Sequence, residues 1–106
     1  MDRHLFRGVL PAITTPFTAA GEVDHDFLAR HAAQLLAAGC KGIIALGSLG
    51  EGATLATAEK EAILRTLVRA AGSAPVIAGI AALSTRDAVA LAETANKVGC
   101  RGLMVL

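Results

Sequence analysis

GCKGIIAL at residues 39–46 returns as GCRGLMVL at residues 99–106, 60 residues later. About halfway between the two copies, GSAPVIAG at residues 72–79 has the same order of a glycine followed by an apolar run. A repeat of roughly 30 residues has the length of one strand plus one helix, the unit of βαβ folds. The repeat therefore predicts a chain of stacked strand–helix units.

Four apolar segments are predicted as strands, near residues 8–14, 42–46, 75–79 and 102–106. The run Ile43 to Leu46 is apolar at every position, as in parallel strands whose two faces are both covered. Helices are predicted between the strands, over about residues 25–38, 58–71 and 85–98, from apolar residues at helical spacing. Asp24, Thr57 and Ser84 are the predicted N-caps, and Gly39 and Gly72 are the predicted stops.

Alternating strands and helices with short connections indicate a parallel sheet with right-handed crossovers. Four strands and three helices fit either the N-terminal half of a (β/α)8 TIM barrel or a small doubly wound sheet, and periodicity alone does not choose between them. The last predicted strand has no helix after it, and a complete barrel needs about 250 residues. Residues 1–106 are therefore expected to be a partial α/β barrel domain, truncated after the fourth barrel strand.

Composition excludes several classes of function. The net charge is +1 and the chain has no Trp or Tyr, so neither a strong field nor aromatic stacking favours nucleic acid. No run approaches the ~20 apolar residues of a membrane span, and residues 1–8 do not read as a signal peptide. Cys40 and Cys100 are predicted to be small buried hydrophobes in a reducing, cytoplasmic protein, with no metal site.

The loop at residues 47–52, Gly-Ser-Leu-Gly-Glu-Gly, directly follows the second predicted strand. Active sites of barrels and open parallel sheets lie at the carboxyl ends of strands. Glycines allow tight turns whose N–H groups can face an anion, and Ser48 adds a hydroxyl that both donates and accepts. The loop is a candidate pocket for a carboxylate or phosphate, although glycine and serine are also common in βα loops that bind nothing.

Five segments together carry a resemblance to a known family. GVLPAITTPF at residues 8–17 is followed by GSLGE at 47–51, ATL at 53–55, Glu59, and PVIAG at 75–79. In order and spacing they are similar to the dihydrodipicolinate synthase and N-acetylneuraminate lyase family, over nearly the whole chain. The resemblance implies a (β/α)8 barrel that acts on pyruvate or a related 2-keto acid through a lysine Schiff base, without a cofactor. It also implies a homo-oligomer in the full-length form.

The resemblance assigns roles to the loop. Ser48 matches the hydroxyl residue that orients a proton-relaying tyrosine and binds the substrate carboxylate, so it is the candidate catalytic residue. Gly47, Leu49 and Gly50 join Ser48 as candidate substrate-binding residues. Leu49 stands where a second Thr is usual and can offer only its N–H, which favours a relative that acts on another 2-keto acid as aldolase, dehydratase or deaminase. Glu51 is expected to brace the loop by accepting N–H bonds.

The family's other catalytic groups are missing from the sequence. There is no tyrosine, and the only lysines are Lys41, Lys60 and Lys97. Lys41 precedes the second predicted strand and the other two lie in predicted helices, so none is placed as the Schiff-base lysine. In the family that lysine and the tyrosine come from later strands.

Two other hypotheses stay open at this point. One is a catalytically incomplete fragment or paralogue that docks with a full-length subunit. The other is a small phosphate- or nucleotide-binding module, which the lack of a Walker lysine disfavours. Thr14 or Thr15 is a candidate for lining the pocket, and His25, beside two aspartates, is expected to be a solvated neighbour of the helix cap.

Overall fold

The computed structural model describes residues 3–106, so Met1 and Asp2, where the predicted domain begins, lie outside the described residues. Helices and strands alternate, and they are α1 (His25–Ala37), β1 (Ile43–Ala45), α2 (Thr57–Ala71), β2 (Val76–Ile80), α3 (Thr85–Val98) and β3 (Gly102–Val105). Short 3-10 turns lie at Arg3–Phe6 and Gly52–Thr54. None of the helices formed by these residues is long and apolar enough to cross a bilayer.

The three strands form a parallel sheet in the order β1-β2-β3. Ile43 pairs with Val76, and Ile77 pairs with Gly102. α2 packs against both α1 and α3, so the helices make one layer beside the sheet. The strand order never reverses, which confirms the partial barrel and rules out the doubly wound alternative.

The first predicted strand, near residues 8–14, is not a regular strand. Ala12 makes one isolated parallel bridge with Ile44, and Ile44 N–H donates to the Pro11 carbonyl at 2.9 Å. Ile13 N–H returns the bond to the Ile44 carbonyl at 2.9 Å, but Pro11 has no N–H, so the ladder does not extend to the residues before it. The segment still runs along the free edge of β1, where a neighbouring barrel strand would lie.

The repeated glycines end two helices in the same way. Gly39 (φ +111) follows α1 and Gly99 (φ +104) follows α3, both with left-handed backbone that glycine adopts without a steric cost. The next N–H in each copy bonds five residues back, Cys40 to Leu35 at 3.1 Å and Cys100 to Ala95 at 2.9 Å. In both copies the repeat thus marks the end of a helix and the strand that follows it.

Two of the three predicted N-caps are confirmed. Asp24 accepts from Phe27 N–H at 3.0 Å, and Ser84 accepts from Asp87 N–H at 3.1 Å. The prediction of Thr57 as a cap was wrong, since α2 begins one residue earlier with Ala56 at the N-cap. Glu59 lies three residues after Ala56 and accepts its N–H at 2.8 Å, which is one half of a capping box, while Ala56 has no side-chain acceptor for the other half.

The core lies between the sheet and the helix layer. Every residue of β2 is buried, as a central parallel strand requires. Helix residues Leu28, Leu64 and Leu67 are fully buried in the same core cluster. β3 is covered less completely, and its residues alternate between half-buried and exposed.

Candidate functional site

The loop at residues 47–52 leaves β1 at the carboxyl edge of the sheet and enters the Gly52–Thr54 turn before α2. Two non-glycine residues at its borders have left-handed backbone, Leu46 with φ 63 and Glu51 with φ 56. Such conformations cost of order 1–3 kcal/mol each and persist only where the surroundings hold them. Packing around the loop therefore has to fix its shape.

Three of the loop's N–H groups are used inside it. Gly50 N–H donates to the Gly47 carbonyl at 3.1 Å, and Gly52 N–H donates to the same oxygen at 3.2 Å. Glu51 N–H donates to the Ser48 carbonyl at 3.1 Å. These bonds close the chain into two overlapping turns, with Gly47 and Gly50 buried at their base and Ser48 and Leu49 exposed at the tip.

Thr15 holds the loop from the side. Its hydroxyl donates to the Gly50 carbonyl at 2.6 Å in a buried bond, and the residue is only 6% exposed. Thr14, the other residue considered for the pocket, is exposed. Thr15 thus ties the segment beside β1 to the base of the loop.

Replacing Thr15 by valine is expected to lower the free energy of unfolding by about 1–2 kcal/mol, since the Gly50 carbonyl would be left buried without a partner. Thr14→Val removes a hydroxyl from the adjacent, exposed position and is the matched control, expected to stay within about 0.5 kcal/mol. Urea unfolding of the two variants measures the difference. Equal destabilisation by both would contradict a bracing role for Thr15.

The tip of the loop presents hydrogen-bond donors to solvent. Within residues 3–106, neither the N–H groups of Ser48 and Leu49 nor the Ser48 hydroxyl bond any protein group. Leu49 is 68% exposed. Adjacent N–H groups with a hydroxyl beside them can together bind an anionic oxygen.

The prediction that Glu51 braces the loop through its carboxylate was wrong. Glu51 is exposed, and among the described residues its carboxylate caps no N–H group. Its backbone carbonyl acts instead, accepting from Thr54 N–H at 3.0 Å and from the Thr54 hydroxyl at 2.9 Å. With left-handed backbone, Glu51 turns its side chain to solvent while its carbonyl begins the 3-10 turn.

The sequence profile of the dihydrodipicolinate synthetase family matches residues 5–106, nearly the whole chain. The chain belongs to this family. The resemblance drawn from the GSLGE loop and its flanking strands is thereby confirmed.

Relatives within the dihydrodipicolinate synthetase family match over the same region. The 4-hydroxy-tetrahydrodipicolinate synthase of Natronomonas pharaonis is 41% identical over all of this chain. Dihydrodipicolinate synthase from Aquifex aeolicus superposes with a TM-score of 0.89 over 94% of the chain, at 36% identity. A prophage protein of the family from E. coli K12, solved in complex with pyruvate, superposes with a TM-score of 0.90 over 95%, at 33% identity. The chain spans about a third of each relative, 36%, 34% and 34% in turn.

The three lysines lie away from the loop's strand end, before β1 or on helices. Lys41 precedes β1 and so lies at the amino end of the sheet, and Lys97 lies in the last turn of α3. Lys60 lies in the first turn of α2, where it lines a cavity of about 550 Å³ with Leu83 and Asp87 of the β2–α3 region. None of the three lysines therefore lies at the carboxyl end of a strand.

Sequence reasoning missed a contact of His25. Its Nδ1 lies 2.7 Å from the Thr66 hydroxyl in a partly buried bond, so the residue links α1 to α2 and is not only a solvated neighbour of the cap. A histidine and a threonine 41 positions apart give no local signal of this pairing. In residues 3–106, no group of three or more His, Cys, Asp or Glu side chains could hold a metal ion.

The two cysteines are free thiols. Both are half-buried, less than the full burial expected from the sequence. Burial raises the pKa of the Cys100 thiol to about 11. A raised pKa disfavours the thiolate, which is the reactive form, and this fits a packing role for Cys100.

Proposed function

We propose that residues 1–106 are the N-terminal part of the barrel of a class I Schiff-base-forming lyase or synthase, ending after its fourth strand, and that this enzyme acts on pyruvate or a related 2-keto acid. The observation that carries the proposal is the pair of unpaired N–H groups at Ser48 and Leu49, at the carboxyl edge of the sheet. Family membership over residues 5–106 and a pyruvate-bound relative support this choice of substrate class.

The loop's part in this reaction is to bind and orient the substrate. In the proposal, the N–H groups of Ser48 and Leu49 donate to the carboxylate of the 2-keto acid, and the Ser48 hydroxyl adds a third donor. Gly47 and Gly50 form the base of the loop, because the Gly50 N–H donates to the Gly47 carbonyl. The Gly50 N–H is therefore not available to the substrate. A carboxylate fixed in this way presents its adjacent carbonyl in one direction, which lowers the entropic cost of attack.

The covalent step needs groups from another part of the protein. A lysine amine adds to the substrate carbonyl and water leaves, and the resulting imine withdraws electrons from the neighbouring carbon. The resemblance assigns the proton relay to a tyrosine oriented by Ser48. In the proposal, the lysine and the tyrosine come from later strands. The relatives are about three times as long as this chain, which is long enough to include such strands.

Leu49 narrows the choice of reaction. It offers a backbone N–H but no hydroxyl, so a substrate carboxylate here lacks one hydrogen bond, worth about 1.5–3 kcal/mol to a charged group. Its side chain is exposed and apolar. This favours an aldolase, dehydratase or deaminase whose 2-keto acid places an apolar or extended group near Leu49.

Pyruvate titration followed by NMR tests the anion site. We expect the amide resonances of Ser48 and Leu49 to shift most, and Ser48→Ala to weaken binding by about tenfold, since a hydrogen bond to a charged group is lost. Ser73→Ala is the matched control, because Ser73 is exposed in the α2–β2 connection and its loss should leave binding unchanged. Shifts confined to other loops, or identical affinity in both variants, would contradict the assignment.

A second function is favoured by the apolar surface of β3. Leu103, Val105 and Leu106 are 44%, 68% and 76% exposed, at the edge of the sheet. Such a surface suits a catalytically incomplete fragment or paralogue that docks with a full-length subunit. A stable complex with a full-length relative on gel filtration would favour this alternative. Cytoplasmic location, homo-oligomerisation of the full-length form and the absence of a cofactor stay predictions.

A further inference from the structure

A cavity of about 300 Å³ lies at the amino end of the sheet, opposite the loop at residues 47–52. We call it the basic pocket, and it is lined by His4, Leu5, Arg7, Gly8, Lys41, Pro75 and Arg101. Its basic residues come from three places, the N-terminal turn and the residues before β1 and β3. No acidic residue from the described part of the chain lines it.

Three cations of the basic pocket, Arg7, Lys41 and Arg101, form no ion pair within residues 3–106. The ion pair found among these residues lies elsewhere, on α2, and joins Arg65 to Glu61. Arg7, Lys41 and Arg101 have no carboxylate of the described residues within 4.0 Å. Like charges gathered around one cavity repel each other and raise the local potential for anions. The ten Lys and Arg residues are nearly balanced by nine Asp and Glu residues over the chain, so this excess is local.

The walls of the pocket are held in place by packing. Leu5 is buried, and Gly102 lies so close to Leu5 and Phe6 that a Cβ there would be 3.3 Å from the Phe6 ring. The turn that carries Arg7 is thus anchored beneath β3. A Cβ on Gly8 would overlap Cγ of Lys41, so the aliphatic part of Lys41 lies directly on the Gly8 backbone. Packing therefore fixes the backbone next to Arg7 and the aliphatic stem of Lys41.

We propose that the basic pocket binds a phosphate group, either as inorganic phosphate or as the monoester of a small metabolite. Guanidinium groups form two-pronged hydrogen bonds with phosphate oxygens, and a lysine adds a compact charge. A volume of about 300 Å³ is about ten times that of one water molecule and falls in the range of small-ligand pockets. A cavity of this kind fits a small anion better than the extended surface of a nucleic acid or a bilayer.

This site is separate from the proposed substrate site. Lys41 precedes β1 and Gly47 follows it, so the two residues lie at opposite ends of that strand. A ligand in the basic pocket therefore cannot touch Ser48 or Leu49. The proposal stands whether or not the loop binds a 2-keto acid.

Calorimetric titration of the chain with inorganic phosphate and with glycerol phosphate, at constant ionic strength set by chloride, tests the proposal. We expect saturable binding to one site, weakened about tenfold or more by Lys41→Gln and by Arg101→Gln, since each removes a charge-assisted hydrogen bond. Lys41→Arg keeps the charge and should stay within about threefold of the unmodified chain. Similar affinities for the two ligands identify free phosphate as sufficient, and tighter monoester binding means that the cavity also holds the alcohol part.

Lys97→Gln is the matched control, since it removes one exposed positive charge from α3, and it should leave phosphate affinity unchanged. NMR locates the site independently of the variants' stability, with the largest expected amide shifts at Lys41, Gly42 and Arg101. Equal weakening by Lys97→Gln, shifts centred on residues 47–52, or binding to anionic vesicles without binding of either small phosphate would overturn the proposal.

Discussion

Pyruvate followed by borohydride is expected to leave this 106-residue chain without a stoichiometric adduct. Borohydride traps an imine as a stable secondary amine, and efficient imine formation needs an amine within reach of the bound carbonyl. Lys41 lies at the amino end of the sheet, and Lys60 and Lys97 are carried by helices. Intact-mass spectrometry after reduction reads the outcome directly, as none or one adduct per chain.

The comparison requires a protein that does form the adduct. A longer form of this chain that extends through the later strands, or the full-length relative from Natronomonas pharaonis, is expected to gain one adduct per subunit under the same conditions. One reduced adduct per 106-residue chain, mapped to a single lysine, would refute the expectation. Lys60 would be the residue to examine first, because it lines a cavity.

Gly52→Ala is expected to destabilise the chain by about 3 kcal/mol, at the upper end of the usual range for overpacking. A Cβ at this buried position would overlap the carbonyl oxygen of Leu46 and lie 3.1 Å from its carbonyl carbon. Leu46 already has left-handed backbone, so it has little freedom to move aside. Relief requires the loop to open, which would also separate the Ser48 and Leu49 donors.

Gly47→Ala is the matched control in the same loop. A Cβ there would meet only the Met104 methyl, at 3.7 Å, in ordinary contact. Stability is expected to stay within about 0.5 kcal/mol, or to rise slightly as the unfolded chain loses freedom. Thermal or urea unfolding of both variants decides the matter. A Gly47→Ala variant as unstable as Gly52→Ala would mean that the loop tolerates no added methyl, and the close approach to Leu46 would not be the cause.

The elements that sequence reasoning located correctly are those with local signals. The apolar runs of β1, β2 and β3 and the caps Asp24 and Ser84 each depend on residues within a few positions of one another. The prediction of a strand near residues 8–14 was wrong because it used only the apolar pattern of the segment. Pro11 lacks the N–H that a regular strand ladder needs at that position. The prediction of Thr57 as an N-cap was wrong because it looked for a hydroxyl residue at the cap. The N-cap is Ala56, whose N–H bonds the Glu59 carboxylate.

The candidate site was predictable in place but not in detail. Glycines after a buried strand located the loop, and the family resemblance singled out Ser48. The Gly47 carbonyl accepts the N–H groups of Gly50 and Gly52 and so closes two turns. These turns decide which N–H groups of the loop have no protein partner, and the sequence alone does not predict them. The brace from Thr15 to Gly50 spans 35 positions, and the bond between His25 and Thr66 spans 41, so both depend on the folded arrangement.

The register of the sheet contains a stagger that bears on the geometry of a whole barrel. Ile43 pairs with Val76, and Arg101 is level with Val76 because Ile77 pairs with Gly102. The sequence repeat, however, makes Leu103 the counterpart of Ile43. Leu103 lies two residues beyond Arg101, so equivalent positions advance by two residues across two strand steps. One residue per strand, carried around eight strands, gives the shear of about 8 and strand tilt of about 36° of a closed TIM barrel. The stagger of these three strands thus has the size that a closed barrel of eight strands needs.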